Sequence, residues 1–274
     1  MVMSHLISPE ELANDPSALV FDCRFSLADS EAGRRDFMAG HIPGARYADL
    51  ERDLSGRPGP GGEGGRHPLP DRDTLGARLR DWGVSNDSRL VAYDQNSGAF
   101  AGRFWWLIRW LGHSNISVLD GGIDAWIEAG FDTDTNAVSP KAGTFSARPA
   151  LTRVCTATEL ADASILMLDA REAARFRGEV EPIDAVAGHI PGAVSAPFTE
   201  NLADGRFRSP EFLTERFRQL GVDPAIDTVC YCGSGVTAAH NILALLLAGF
   251  PEPVLYAGSW SDWITDRERP IATG

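Results

Sequence analysis

The sequence predicts an α/β protein built from two tandem copies of one domain, each a parallel sheet with helices on both faces. Three observations predict it. Short apolar runs alternate with amphipathic stretches, as strands do when crossover helices join them. Blocks of sequence return in the same order at nearly constant spacing. The chain of 274 residues has room for two domains of ordinary size.

The strands are read from buried apolar runs at Ala18–Phe21, Leu90–Tyr93 and Ser117–Leu119, and again at Ile165–Leu168, Thr228–Tyr231 and Val254–Tyr256. Between them Leu75–Trp82, Ala101–Leu111, Phe212–Leu220 and Thr237–Leu247 carry helical periodicity. The repeat is explicit. Asp22-Cys23-Arg24 and Gly40-His41-Ile42-Pro43-Gly44-Ala45 return as Asp169-Ala170-Arg171 and Gly188-His189-Ile190-Pro191-Gly192-Ala193, at offsets of 147 and 148. Leu90–Asp94 matches Thr228–Cys232 at 138, and Val118–Gly122 with Trp126 matches Leu255–Ser259 with Trp263 at 137. The loss of about ten residues falls where the first copy carries the Gly- and Pro-rich Ser55–Pro70 and the second only Asp204–Pro210. Phe131–Arg153 is polar, aperiodic and broken by prolines, as linkers are. The expected organisation is an N-terminal domain over 1–135, a linker over 136–153 and a C-terminal domain over 154–274.

Composition narrows the function. The net charge of −13 disfavours nucleic-acid and acidic-membrane partners, which are held by cationic surface. No apolar run approaches the ~20 residues of a spanning helix. The start, Met-Val-Met-Ser-His-Leu, has no cationic apolar leader, which reads as cytoplasmic. Four cysteines without Cys-x-x-Cys spacing suit neither a disulfide framework nor a zinc site.

The chemistry concentrates where a buried strand ends at Tyr231 and Cys232-Gly233-Ser234-Gly235-Val236-Thr237 leads into a helix. Open α/β sheets bind ligands at the carboxyl ends of their strands. Glycines there allow backbone N–H groups to turn inward on a thiolate, and a helix N-terminus adds partial positive charge. Both favour the thiolate and, equally, a persulfide anion. At the position matching Cys232 the first copy has Asp94, which cannot carry a transferable sulfur. Gly59, Gly61, Gly62, Gly64 and Gly65 lack the Lys-Ser/Thr of a phosphate loop and read as a flexible surface loop.

Two copies of Asp-x-Arg…Gly-His-Ile-Pro-Gly-Ala, with Cys-Gly-Ser-Gly-Val-Thr in the second alone, resemble the tandem rhodanese-type sulfurtransferases over nearly the whole chain. The loop resembles that of the 3-mercaptopyruvate enzymes more than that of the thiosulfate enzymes. The resemblance implies a silent first domain, a catalytic second domain with its site near the domain interface, and a Cys232 persulfide. It implies no metal and no organic cofactor. It also implies a small-molecule sulfur donor and a thiol acceptor such as a small thiol or a thioredoxin-like protein, or cyanide. It maps Arg175 onto the arginine that holds the substrate's anionic group, with Arg177 left as surface. Gly233, Ser234, Gly235, Val236 and Thr237 are the expected substrate-binding loop. Ser234 is read as a donor to a keto acid or a loop cap, and Thr237 as a helix N-cap or a hydroxyl aimed at Cys232. His41 is a candidate proton donor at the domain interface, whereas His189 reads as a satisfied turn histidine. The second arginine frequent after Glu-Pro in mercaptopyruvate enzymes is missing, since Ile183 and Asp184 follow Glu181-Pro182.

The rival enzyme reading, a cysteine phosphatase or arsenate reductase, needs Arg six residues after the cysteine, where this chain has Ala238. Two further rivals are a thiosulfate-preferring rhodanese and a non-enzymatic sulfur carrier or protein-binding module.

Overall fold

The computed structural model describes residues 4–161 and 165–274; the first three residues of the start read above for a leader lie outside them. The chain divides into two compact units. Unit 1 holds β1 (Leu6–Ile7), α1 (Pro9–Ala13), β2 (Ala18–Asp22), α2 (Ala32–Ala39), β3 (Arg46–Tyr47), α3 (Arg72–Asp81), β4 (Arg89–Tyr93), α4 (Ala99–Trp110), β5 (Ile116–Leu119) and α5 (Gly122–Glu128). Its five strands lie in the order β1-β5-β4-β2-β3, and every pair is parallel.

The second half of the sequence supplies β6 (Arg153–Cys155), β7 (Leu166–Asp169), α6 (Ala173–Phe176), β8 (Val194–Ser195), the two-residue strands β9 (Leu202–Ala203) and β10 (Arg206–Phe207), α7 (Pro210–Gln219), β11 (Thr228–Tyr231), α8 (Thr237–Leu247), β12 (Val254–Tyr256) and α9 (Ser259–Trp263). The sheet of unit 2 has the order β6-β12-β11-β7-β8, again all parallel, which repeats the topology of unit 1 strand for strand.

Central strands are uniform apolar runs because both of their faces are covered: all four residues of β5 and of β11 are buried. Each unit has its own core. Val20, Val91, Tyr93, Leu119 and Trp126 pack in the first; Met167, Val229, Tyr231, Tyr256 and Trp260 pack in the second. Local chemistry sets the helix starts. Asp71 accepts the Thr74 N–H before α3, and Ser209 accepts that of Phe212 before α7, whose first residue is Pro210.

Two expectations need correction. The Gly-rich stretch is not a loose loop of the first domain, because residues 57–69 belong to unit 2. Gly64 N–H donates to Asp262 Oδ1 at 2.8 Å, and Arg66 N–H to Ser261 Oγ at 3.1 Å. Gly65, at φ +78°, lies so near the Gly258 carbonyl that a Cβ would be 2.4 Å from its oxygen. Glycine is used here for close docking, not for flexibility. Nor does the segment around Pro140–Pro149 run free as a linker. Gly143 N–H donates to Arg80 O at 2.7 Å, Phe145 N–H to Val84 O at 3.1 Å and Arg148 N–H to Leu111 O at 2.9 Å, with the Phe145 side chain buried in unit 1. Asp204–Arg206 also belongs to unit 1.

Candidate active site

The site of unit 2 starts from a brace that both copies share. Arg171 donates to Asp169 Oδ2 at 2.6 Å and to the Gly188 carbonyl at 2.7 Å; Arg24 makes the same bonds to Asp22 and to Gly40 at the same distances. Tyr231 Oη accepts the Ile190 N–H, as Tyr93 Oη accepts that of Ile42, both at 3.2 Å. The duplicated Asp-x-Arg and Gly-His-Ile-Pro-Gly blocks are therefore one scaffold tying the strand end to its following turn.

Cys232 follows β11 directly and is 2% exposed. Its Sγ accepts the Gly235 N–H at 3.1 Å. Gly235 adopts φ +76°, and a Cβ on it would come within 2.3 Å of the Ala257 oxygen. Only glycine turns its amide back onto the sulfur without such a collision. The loop backbone is clasped by the turn from β12 into α9. Cys232 N–H donates to Ser259 Oγ at 3.0 Å; Trp260 N–H donates to Cys232 O and Ser261 N–H to Gly233 O, both at 2.9 Å. Ser259 takes φ +55°, a left-handed conformation costly for a residue with a side chain. The helix behind the loop opens at Thr237. Its N-cap is Val236, without a side-chain cap, so Thr237 is the first helical residue and the N-cap reading of it is corrected.

Arg175, on α6, is held by a carboxylate pair. It donates to Glu181 at 2.7 and 3.2 Å and to Asp184 Oδ2 at 3.0 Å. Burial works to raise the Glu181 pKa, but hydrogen bonds from Arg175 and from backbone amides hold it below the ordinary carboxylate range. Burial raises that of Asp184, against the pull of Arg66 and Arg175. Arg177 instead pairs with exposed Glu179 at the surface.

Two residues of this site escaped the sequence reading, and both come from the docked 57–69 segment. Arg66 Nη1 pairs with Asp184 Oδ1, so one carboxylate bridges two guanidiniums. Both reach the Cys232 loop: a Cβ on Gly233 would lie 3.0 Å from Arg66 Nη2 and 3.6 Å from Arg175 Nη2. His67 Nδ1 lies 2.8 Å from Ser234 Oγ, and both residues are buried. The sequence signal for them was that Arg66-His67 ends an insertion with no counterpart in the second copy.

His41 is not brought into this cluster. Its Nδ1 is 2.7 Å from Phe37 O, its Nε2 is 3.2 Å from Asp134 Oδ1, and its ring stacks on Phe37 at 3.9 Å, all within unit 1. His189 has the same setting on Phe176. The other thiols are held protonated by burial. Those of Cys23 and Cys230 are pushed far up, and that of Cys155 to about 12. In unit 1 the counterpart of Cys232, Asp94, is 2% exposed and accepts N–H groups of Gly98, Phe100 and Ala101 at 2.9–3.2 Å.

Comparison with known proteins agrees with this architecture. The rhodanese-like domain model matches residues 8–129 and 156–266. A Pseudomonas aeruginosa protein named "Probable 3-mercaptopyruvate sulfurtransferase" is 51% identical, covering 100% of both chains. The mouse protein named thiosulfate sulfurtransferase is 33% identical, over 90% of this chain and 85% of its own. The crystal structure of SseA from Escherichia coli, described by its rhodanese fold and as a 3-mercaptopyruvate sulfotransferase, superposes with a TM-score of 0.83 at 33% identity, covering 94% of this chain and all of that one. The chain belongs to the tandem rhodanese sulfurtransferase family. It is an enzyme that moves sulfur from a small-molecule donor to an acceptor.

Proposed function

We propose that Cys232 carries the sulfur as a persulfide and that the preferred donor is 3-mercaptopyruvate. The observation that carries the reading is the loop itself: one sulfur receiving the Gly235 amide, with Arg66 and Arg175 over the adjoining Gly233. The Cys232 thiolate attacks the donor sulfur. A new S–S bond forms, the donor C–S bond breaks, and its electron pair passes to carbon as the enolate of pyruvate. The thiol proton of the donor is delivered to that carbon, leaving a Cys232 persulfide anion and pyruvate. Ser234, bonded to His67, relays that proton or donates to the developing enolate oxygen in this reading. Arg175 holds the carboxylate by charge-assisted hydrogen bonds. The persulfide then yields its outer sulfur to an acceptor thiolate, and the Cys232 thiolate leaves. The cycle is covalent catalysis in two half-reactions. A small thiol or a thioredoxin-like protein is the acceptor in this reading, and the cytoplasm its place.

Thiosulfate is the second donor. It needs no proton relay, since sulfite leaves with the electron pair of the broken S–S bond. The uncharged Gly233 and Ser234 beside Cys232 favour the keto acid over this dianion. Intact-mass analysis after exposure to either donor is expected to show one added sulfur on the wild-type protein and none on Cys232→Ser. Full transfer activity in Cys232→Ser would overturn the mechanism.

A further inference from the structure

The two arginines over the loop are not free charges. Arg66 and Arg175 share Asp184, and Arg175 also holds Glu181. Both carboxylate side chains are 4% exposed, against 29% for Arg66 and 14% for Arg175. Arg171 also reaches Glu181 at 3.5 Å and is itself paired with Asp169, so three cations face three anions and the cluster is neutral as a whole. Arg66 Nε is also buried without an acceptor among the described residues. The cluster thus offers donors to an incoming anion and no net attraction for it.

We infer that Asp184 is a specificity-determining residue that selects a monoanionic sulfur donor over a dianionic one by cancelling the charge of the Arg66–Arg175 pair. The inference rests on the sulfur-transfer reading above. A keto-acid carboxylate brings one negative charge and can take two parallel hydrogen bonds from a guanidinium. Thiosulfate brings two. Its second charge meets Asp184 and Glu181 at short range in a partly buried site, where charge interactions are screened less than in water. Arg66 supplies a second guanidinium in a chain whose Glu181-Pro182 is followed by Ile183. It does so with its own counter-ion attached, so the two members of one bridge push donor discrimination in opposite directions.

The test is the ratio of kcat/KM for thiosulfate to that for 3-mercaptopyruvate, measured with wild-type protein, Asp184→Asn and Arg66→Gln. Removing the carboxylate charge should raise the ratio about tenfold, and removing the guanidinium should lower it by a similar factor. A bridge that serves only to brace the loop would move both variants in the same direction, or leave the ratio unchanged; either result overturns the inference. If Asp184→Asn does not fold, Asp184→Ser removes the same charge, and Arg66→Gln, at a more exposed position, still has to lower the ratio. A readout free of turnover is calorimetric binding in the Cys232→Ser background, where Asp184→Asn should tighten thiosulfate more than pyruvate. Absence of a Cys232 persulfide in the wild-type protein with either donor would refute the sulfur-transfer reading itself. A loaded wild-type protein whose variants shift together would refute only the role of Asp184.

Discussion

Gly235→Ala tests whether the amide turned onto Cys232 supports catalysis. Two costs can be separated. The first is conformational: an alanine at φ +76° costs about 1–2 kcal/mol. Gly249 provides the control, because it has φ +80° and a Cβ there would meet nothing within 4 Å, so Gly249→Ala carries this cost alone. The second is steric. A Cβ on Gly235 would stand 2.3 Å from the Ala257 oxygen, so the loop has to move by roughly 0.7 Å to reach even a tight contact. The donor is the same residue's N–H, 3.1 Å from Sγ, and a shift of that size weakens or breaks the bond.

A hydrogen bond to a charged partner contributes about 1.5–3 kcal/mol. Losing it at a thiolate or persulfide should slow loading by roughly 10- to 150-fold. The assay is single-turnover loading of Cys232, followed by rapid quench and intact mass, beside the Tm of both variants. Gly249→Ala should lose stability and load at the wild-type rate. Gly235→Ala should lose at least as much stability and load slowly. If Gly235→Ala loaded as fast as wild type, the amide would be a structural detail, and the electrostatic account of the loop would be wrong.

Ser234→Ala should lower kcat/KM for 3-mercaptopyruvate about 100-fold and change that for thiosulfate by less than about threefold, because only the keto-acid route moves a proton to the leaving group; equal losses for both donors would remove Ser234 from proton transfer. Burial, with Arg109 beside it, holds the pKa of His5 down from 6.5 to about 4. The unfolded chain binds that proton below pH 6.5 and the folded chain does not, so stability should fall as pH drops from about 6.5 to about 4. His5→Gln should flatten this acid limb in a Tm–pH profile, and parallel profiles for the two proteins would refute the assignment.

The candidate nucleophile and its loop were legible in the sequence because they are local: a strand, six residues with two glycines, a helix. The duplication was legible for the same reason, each block being a short run of a few residues. Arg175 came from resemblance and fell into the site. Arg66 and His67 did not, because His67 and Ser234 are 167 positions apart and no periodicity links them. Their host segment, rich in glycine, has the composition of a flexible loop. In the fold the same glycines permit docking: at Gly65, whose Cβ would collide with the Gly258 carbonyl, a side chain would hold the segment off α9. Short elements such as β3 and β8, two residues each, were missed because two residues carry no period.

The two copies differ in the residue that follows the central strand and in the loop after it. The clasp is common to both: Ile123 N–H donates to Asp94 O at 3.0 Å and Asp124 N–H to Gln95 O at 3.1 Å, as Trp260 and Ser261 do to Cys232 and Gly233. The residue opening each clasp is left-handed, Gly122 at φ +59° and Ser259 at φ +55°. In unit 2 the strain is borne by a serine, and its hydroxyl accepts the Cys232 N–H. The clasp therefore does not separate the copies; the loop it holds does, since the left-handed glycine is Gly235, three residues after Cys232, in unit 2 and Gly98, four residues after Asp94, in unit 1, and the side chain in the nest differs with it. In unit 1 the Asp94 carboxylate takes three amides permanently, and burial still raises its pKa. In unit 2 a thiol occupies the equivalent place, and in the proposed cycle its sulfur is extended by one atom and returned. A fold that presents amides at a strand end will stabilise whatever anion stands there. In the proposed cycle sulfur transfer follows only where that anion can gain and lose a sulfur atom, which assigns catalysis to one copy on a scaffold that both copies share.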